Sequence, residues 1–204
     1  MPPEENTTVE ENEEPVEEGK TAAPHSAEIE TLNKQARDHL AQNEWEPALE
    51  CYRQVLALAQ QTGDIAAQAE ALNNTASVHL ARKAWALALE ALEPARQLLQ
   101  EARDLDGEAT TLNNIGSAYN GLGDWIQAVE IYEEALAIRE AQKDLEDQAK
   151  TIRNLAIIYA QHGNRQKAKS YLNRAIVLAK KAKSRPLVKL MRQTLSQLPR
   201  FRRR

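Results

Sequence analysis

Asparagine recurs in this chain at a fixed interval. Asn33, Asn73 and Asn113 lie 40 residues apart, and Asn74, Asn114 and Asn154 repeat the spacing one position further on. An asparagine side chain offers two N–H donors and a carbonyl acceptor, the complement that the backbone of an extended polypeptide needs. Asparagine is also a mediocre helix former, so its return at one place in successive segments asks for a reason. Lys34, Arg37, Ser77, Ser117, Lys150 and Arg153 stand at the same or adjoining positions and add further polar groups. Two uses are open. The amides grip a partner segment, or they brace neighbouring helices and meet solvent.

A second chemistry is electrostatic. The formal net charge of −4 conceals a division of the chain: residues 1–147 hold all 30 Asp and Glu against 10 Lys and Arg, whereas residues 148–204 hold 16 Lys and Arg and no acid. Lys180, Lys181, Lys183, Arg185, Lys189 and Arg192 concentrate that positive charge. Such a surface attracts anionic partners: an acidic peptide, a nucleic acid or a membrane surface. The opposite charges of the two ends also allow the acidic end to cover the basic one, or copies to associate head to tail.

Other chemistries lack their residues. His39 and His79 occupy equivalent positions where later segments carry Tyr119 and Tyr159, so they read as aromatic substitutes, and one such pair is a poor metal site. Cys51 stands alone without the arrangement that marks a nucleophile. Gly116, Gly121 and Gly123 read as one packing and two turn glycines, because no strand precedes them as a phosphate loop requires. No cofactor, no metal and no enzymatic activity are expected. The single cysteine supports no disulfide framework, the acidic N-terminus is unlike a signal peptide, and no apolar run approaches the ~18–20 residues of a membrane span. The simplest address is cytoplasmic.

These residues must be positioned by helices. Ala and Leu dominate the apolar content and favour helix, and no period-2 run of β-branched residues predicts a strand. Leu32, Leu72, Leu112 and Ile152 form one column at the 40-residue spacing; Ala48, Ala88, Ala128 and Ala168 form another; Trp45, Trp85 and Trp125, with Arg165, form a third. A period of this size means stacked supersecondary units. The small residues let paired helices approach, and each Trp should clamp the start of its helix beneath the preceding turn. The pattern divides the chain into an acidic segment, 1–26, expected to be disordered; four helix-turn-helix units at 27–64, 65–104, 105–144 and 145–184; a capping helix at 185–199; and a basic tail at 200–204. In the third unit the first helix is expected over about Glu108–Asn120, the turn at Gly121–Asp124, and the second helix over about Trp125–Gln142. Asn43-Glu44 and Lys83-Ala84 are the weakest turn signals. In the capping helix Leu187, Leu190, Met191, Leu195 and Leu198 form the apolar stripe.

The columns resemble the tetratricopeptide repeat. Unit three supplies Leu112, Ile115-Gly116, Tyr119, Ala128, Tyr132 and Ala135; unit four supplies Ile152, Leu155-Ala156, Tyr159, Ala168, Leu172 and Ala175. The family repeat is usually about 34 residues, and the longer spacing is similar to the subclass of kinesin light chains, LGN-type spindle adaptors and many bacterial repeat proteins. The resemblance implies an all-α, right-handed α-solenoid of four units plus a C-terminal capping helix, with the first helix of each unit lining a concave face. It further implies an interaction scaffold or adaptor that holds an extended segment of a protein partner there. Asn74, Asn114 and Asn154 match the column that forms an asparagine ladder, from which Lys34 departs.

Overall fold

A computed structural model describes residues 22–198. Among them are nine α-helices: α1 Ala22–Ala41, α2 Trp45–Thr62, α3 Ile65–Ala81, α4 Trp85–Glu101, α5 Leu105–Leu122, α6 Trp125–Ala141, α7 Leu145–Gln161, α8 Arg165–Lys181 and α9 Arg185–Gln197. Helix α1 begins five residues inside the stretch expected to be a tail. Ala22 and Ala23 favour helix, and Pro24 is tolerated in a first turn, where its missing N–H has no helical partner to lose. The rest of the acidic segment and the basic tail lie outside the described residues.

The turns are more regular than the repeat. From α2 to α9 every helix starts 20 residues after the last, because one residue in each turn takes a left-handed backbone: Asn43, Gly63, Lys83, Arg103, Gly123, Lys143, Gly163 and Lys183. The next residue then opens the following helix. Asp64, Asp104, Asp124, Asp144 and Asn164 do so as N-caps, each side chain accepting a backbone N–H of the first turn. The cap at Asp104 starts α5 three residues before the expected Glu108. Its far end also overruns expectation: Gly121 is helical, and only Gly123 turns the chain.

Consecutive helices pack antiparallel, so the odd-numbered helices form one layer and the even-numbered helices the other. Helix α3 approaches α5, α5 approaches α7 and α7 approaches α9, whereas the backbones of the even helices stay apart. Long side chains bridge that wider layer, as Arg96 does to Glu134 and Arg174 to Glu140. A stack that is tighter on one side curves toward it. The odd layer is therefore the concave face of an all-α solenoid.

The core lies between the layers and holds the small-residue columns, with Ala36, Ala48, Ala76, Ala88, Ala128, Ala156 and Ala168 fully buried. At Gly116 a Cβ would come within 3.0 Å of the Tyr132 ring, so α5 and α6 are closer than an alanine comfortably allows. Two tryptophans act differently from expectation. Trp85 packs on Gly121 and Trp125 stacks on His162 at 4.7 Å between ring centroids. Both reach forward to the end of the next unit's first helix, because the start of α4 or α6 lies beside the end of the antiparallel helix that follows. Helix α9 closes the stack with Leu187, Met191 and Thr194 buried, and Leu198 is buried just past its end. Leu190, placed in the apolar stripe by spacing, is 37% exposed, and Thr194 takes the inward position.

Candidate functional site

The two asparagine columns face in different directions. One residue along a helix rotates a side chain by about 100°, so Asn33, Asn73, Asn113 and Arg153 point along the stack into the seam between units. The Asn73 amide donates to Thr111 Oγ1 at 2.8 Å and to Ala69 O at 3.1 Å. At the next but one seam, Arg153 Nε donates to Thr194 Oγ1 at 2.9 Å, tying α7 to the closing helix. Asn33 is only 7% exposed. One unit before Thr111 the residue is Ala71, which has no hydroxyl to offer Asn33. Asn113 keeps its amide on Ala109 O at 3.0 Å. Asn73 and Arg153 therefore bond across a seam between units, whereas Asn113 bonds within its own helix and Asn33 is buried.

Asn74, Asn114 and Asn154 remain half-buried on the concave layer. Asn114 reaches Asn73 Oδ1 at 3.5 Å, a long contact that leaves most of its amide uncommitted. Ser77 and Ser117 donate to the carbonyls of Asn73 and Asn113 at 2.9 and 3.1 Å. Ser117 Oγ also shares a hydrogen with Tyr132 Oη at 2.7 Å. Burial raises the Tyr132 phenol pKa above its ordinary value, with the Ser117 hydrogen bond opposing. Lys34, Arg37 and Lys150 are exposed at the margin, and Lys150 pairs with Asp147.

Beside this column opens a cleft of about 350 Å³ whose walls include Leu80, Trp85, Ser117, Tyr132, Asn154 and Ile157. It joins amide, hydroxyl and aromatic surface drawn from three units. Sequence reasoning favoured packing for Trp85 and Tyr132 over ligand contact. The signal available was that Trp85 opens a helix, where a large ring has room to present one edge outward while burying the other.

A second concavity, of about 770 Å³, lies between α8 and α9 at the end of the stack. Lys180, Lys183, Arg185, Lys189 and Arg192 surround it, and Ala179 and Val188 supply apolar surface. Five of the six residues singled out from the charge division therefore converge; Lys181 is exposed but does not line this cleft. Residues 148–198 contribute no carboxylate to neutralise it.

The remaining reactive side chains are dispersed. Cys51 is buried, which with the neighbouring Glu50 pushes its thiol pKa up and keeps it protonated. His39 Nδ1 contacts Glu44 at 2.6 Å, and burial pulls the His79 pKa down. Among the described residues no three His, Cys, Asp or Glu side chains gather as a metal site, and no helix is long and apolar enough to cross a membrane.

Paired antiparallel helices in two layers, one turned inward, define an α-solenoid repeat protein. Tetratricopeptide-repeat family models match residues 31–66, 67–141 and 107–181, and the chain belongs to that family. Its fold is similar to the tetratricopeptide-like repeats of a putative kinesin light chain from Podosopora anserina, with a TM-score of 0.69 at 20% identity over 85% of this chain and 86% of that one. It is also similar to aspartyl phosphate phosphatase F from Bacillus subtilis, with a TM-score of 0.75 at 17% identity over 83% of this chain and 45% of that one. A Rap protein complexed with competence and sporulation factor gives a TM-score of 0.74 at 18% identity, covering 84% and 52% respectively. The chain thus spans about half the length of the phosphatase and the Rap protein. Among curated proteins the sequence has no match.

Proposed function

We propose that the protein is an interaction scaffold that holds an extended segment of a protein partner along its concave face. The observation that carries this reading is the in-register row Asn74, Asn114 and Asn154, half-buried on the inner layer and adjoining the Trp85–Tyr132 cleft. A row of amides repeated by successive helices suits a backbone whose own donors and acceptors repeat. The cleft suits one apolar side chain of the same segment, and Ser77, Ser117, Lys34, Arg37 and Lys150 flank the path. Structural neighbours of the same fold include a Rap protein solved with a bound factor, which agrees with a solenoid used for capture. Each hydrogen bond contributes about 0.5–1.5 kcal/mol net. A few of them with one buried side chain, less the cost of ordering the segment, give an affinity on the order of micromolar.

The test is selection of binding peptides from a displayed random library, followed by affinity measurement on the Asn74→Ala/Asn114→Ala/Asn154→Ala protein. Selected peptides should lose about tenfold or more in affinity, as expected for two or three lost hydrogen bonds, while the melting temperature stays near that of the parent. Peptides that bind the triple variant as tightly as the parent would refute the reading.

A further inference from the structure

We infer that the basic cleft between α8 and α9 receives the Glu-rich segment 4–18 of a second copy of this chain, joining molecules head to tail. The inference is independent of the concave-face reading, since the cleft lies at the end of the stack and uses none of the asparagine column.

Charge is the first argument. Lys180, Lys183, Arg185, Lys189 and Arg192 are all exposed around one concavity, and none forms an ion pair with any described residue. Residues 4–18 carry eight Glu and no Lys or Arg. Their acids come in four pairs, Glu4-Glu5, Glu10-Glu11, Glu13-Glu14 and Glu17-Glu18, with Val9 and Val16 interspersed. That alternation suits a cleft whose rim is cationic and whose floor includes Ala179 and Val188. Other elements do not oppose the match, because residues 148–198, which build α8, α9 and all but the first turn of α7, contain no Asp or Glu; only Glu146 and Asp147 at the start of α7 are acidic.

Distance favours a neighbour over the same molecule. Helix α1 packs on α2 at one end, and α9 packs on α8 and α7 at the other. Four steps of the odd layer at ~8–10 Å put α1 and α9 about 32–40 Å apart. From Ala22 back to Glu11 is 11 residues and back to Glu4 is 18, with r.m.s. reaches of ~17–20 Å and ~21–25 Å for a flexible chain, although 18 residues fully extended span about 59–65 Å. The r.m.s. reach is therefore shorter than the span to the same molecule's cleft, which favours the cleft of another copy. Such a contact is heterologous and builds chains or rings of copies.

The experiment uses the full chain in sedimentation velocity over a range of concentrations at about 0.03 M and about 0.5 M salt, where screening differs several-fold. Alongside it, fluorescence anisotropy measures a labelled synthetic peptide of residues 1–20 binding to the full chain. Concentration-dependent association at low salt that dissolves at high salt is expected. The Lys183→Glu/Lys189→Glu/Arg192→Glu protein should abolish it and weaken the peptide by roughly tenfold or more. Glu→Gln at positions 10, 11, 13 and 14 should abolish self-association while leaving the cleft able to bind wild-type peptide. A monomer under all conditions that also ignores the peptide overturns the proposal, as does association that survives reversal of the cleft charges. A monomer that binds peptide only after the Glu→Gln changes would mean the cleft is filled within one molecule. Binding of a single-stranded RNA or of phosphatidylserine vesicles through these cations, with no binding of the peptide, would give the cleft to another class of partner and equally overturn it.

Discussion

Trp85 and Gly121 are packed face to Cα across the junction of the second and third units, so closely that a Cβ at position 121 would approach the indole to less than 3.0 Å. Removing a glycine from a helix usually stabilises by about 1 kcal/mol. Here Gly121→Ala should destabilise by about 1–3 kcal/mol in chemical denaturation, because the ring is rigid and must shift as a whole. In a Trp85→Leu background the same change should cost far less. Equal stability of Gly121→Ala and the parent would show that the indole moves aside freely.

Asn73 and Thr111 form the clearest polar brace between units. A double-mutant cycle of Asn73→Ala and Thr111→Val should give a coupling of about 0.5–1.5 kcal/mol. Peptide affinity should be unaffected by Asn73→Ala, in contrast to the Asn74, Asn114 and Asn154 column. Loss of binding in Asn73→Ala without loss of stability would return that residue to the recognition surface.

Arg139 is 1% exposed, and it heads the largest fully buried side chains among the described residues. It pairs with Asp106 and Asp147, lies 3.8 Å from Asp144, and donates to Thr110 Oγ1 at 2.7 Å. It thus fastens α6 to both α5 and α7. Its acids sit nearer solvent, Asp106 being 73% exposed, so the two kinds of deletion differ. Asp106→Asn/Asp147→Asn leaves a buried cation poorly compensated and should cost about 3–5 kcal/mol. Arg139→Met, which removes the charge with its desolvation burden, should cost clearly less. The ranking, read from urea midpoints, is the test.

His79 has its pKa lowered, chiefly by burial and then by Arg82, with Glu46 and Glu90 pulling the other way. The folded state therefore resists protonation more than the unfolded chain does. Stability from this group is intact above the ordinary histidine value of 6.5 and declines as pH falls through it. Melting temperature should drop between about pH 7.5 and about pH 5.5, the range in which histidine titrates. His79→Phe should flatten that part of the profile. An unchanged slope in the variant would assign the pH dependence elsewhere.

Gly63 has left-handed backbone and no atom within 4 Å of where a Cβ would stand. Gly63→Ala isolates the backbone term and should cost about 1 kcal/mol. Lys143→Gly, at an equivalent turn held by a side-chain residue, should gain a comparable fraction. Denaturation midpoints moving in opposite directions are the expected result.

The 40-residue period, the alanine columns and the all-helical class were legible because each unit repeats the same packing problem and meets it with the same residue type. The places of the turns could be read as well, but the left-handed residue common to all of them could not. Lys83, Arg103, Lys143 and Lys183 adopt left-handed backbone without the Gly or Asn that announces it, since helix packing on both sides fixes the turn. Gly121 misled for the opposite reason: it has the look of a turn residue, but its missing Cβ makes room for Trp85. Asn73 and Asn74 are chemically identical neighbours, and only their rotation about α3 separates brace from display. The cleft between α8 and α9 needed both a cationic sequence and the angle of the closing helix, and only the former is written in the composition.

Because every turn from the first unit onward is set to one interval, the chain tolerates changes of length unevenly. Gain or loss of a whole helix pair would keep each surviving helix in its own layer. Loss of a single helix with its turn would preserve the rhythm of reversals while exchanging inner and outer surfaces for everything downstream. Growth of this architecture by duplication is thereby quantised: it proceeds in pairs, and a half step turns the protein inside out.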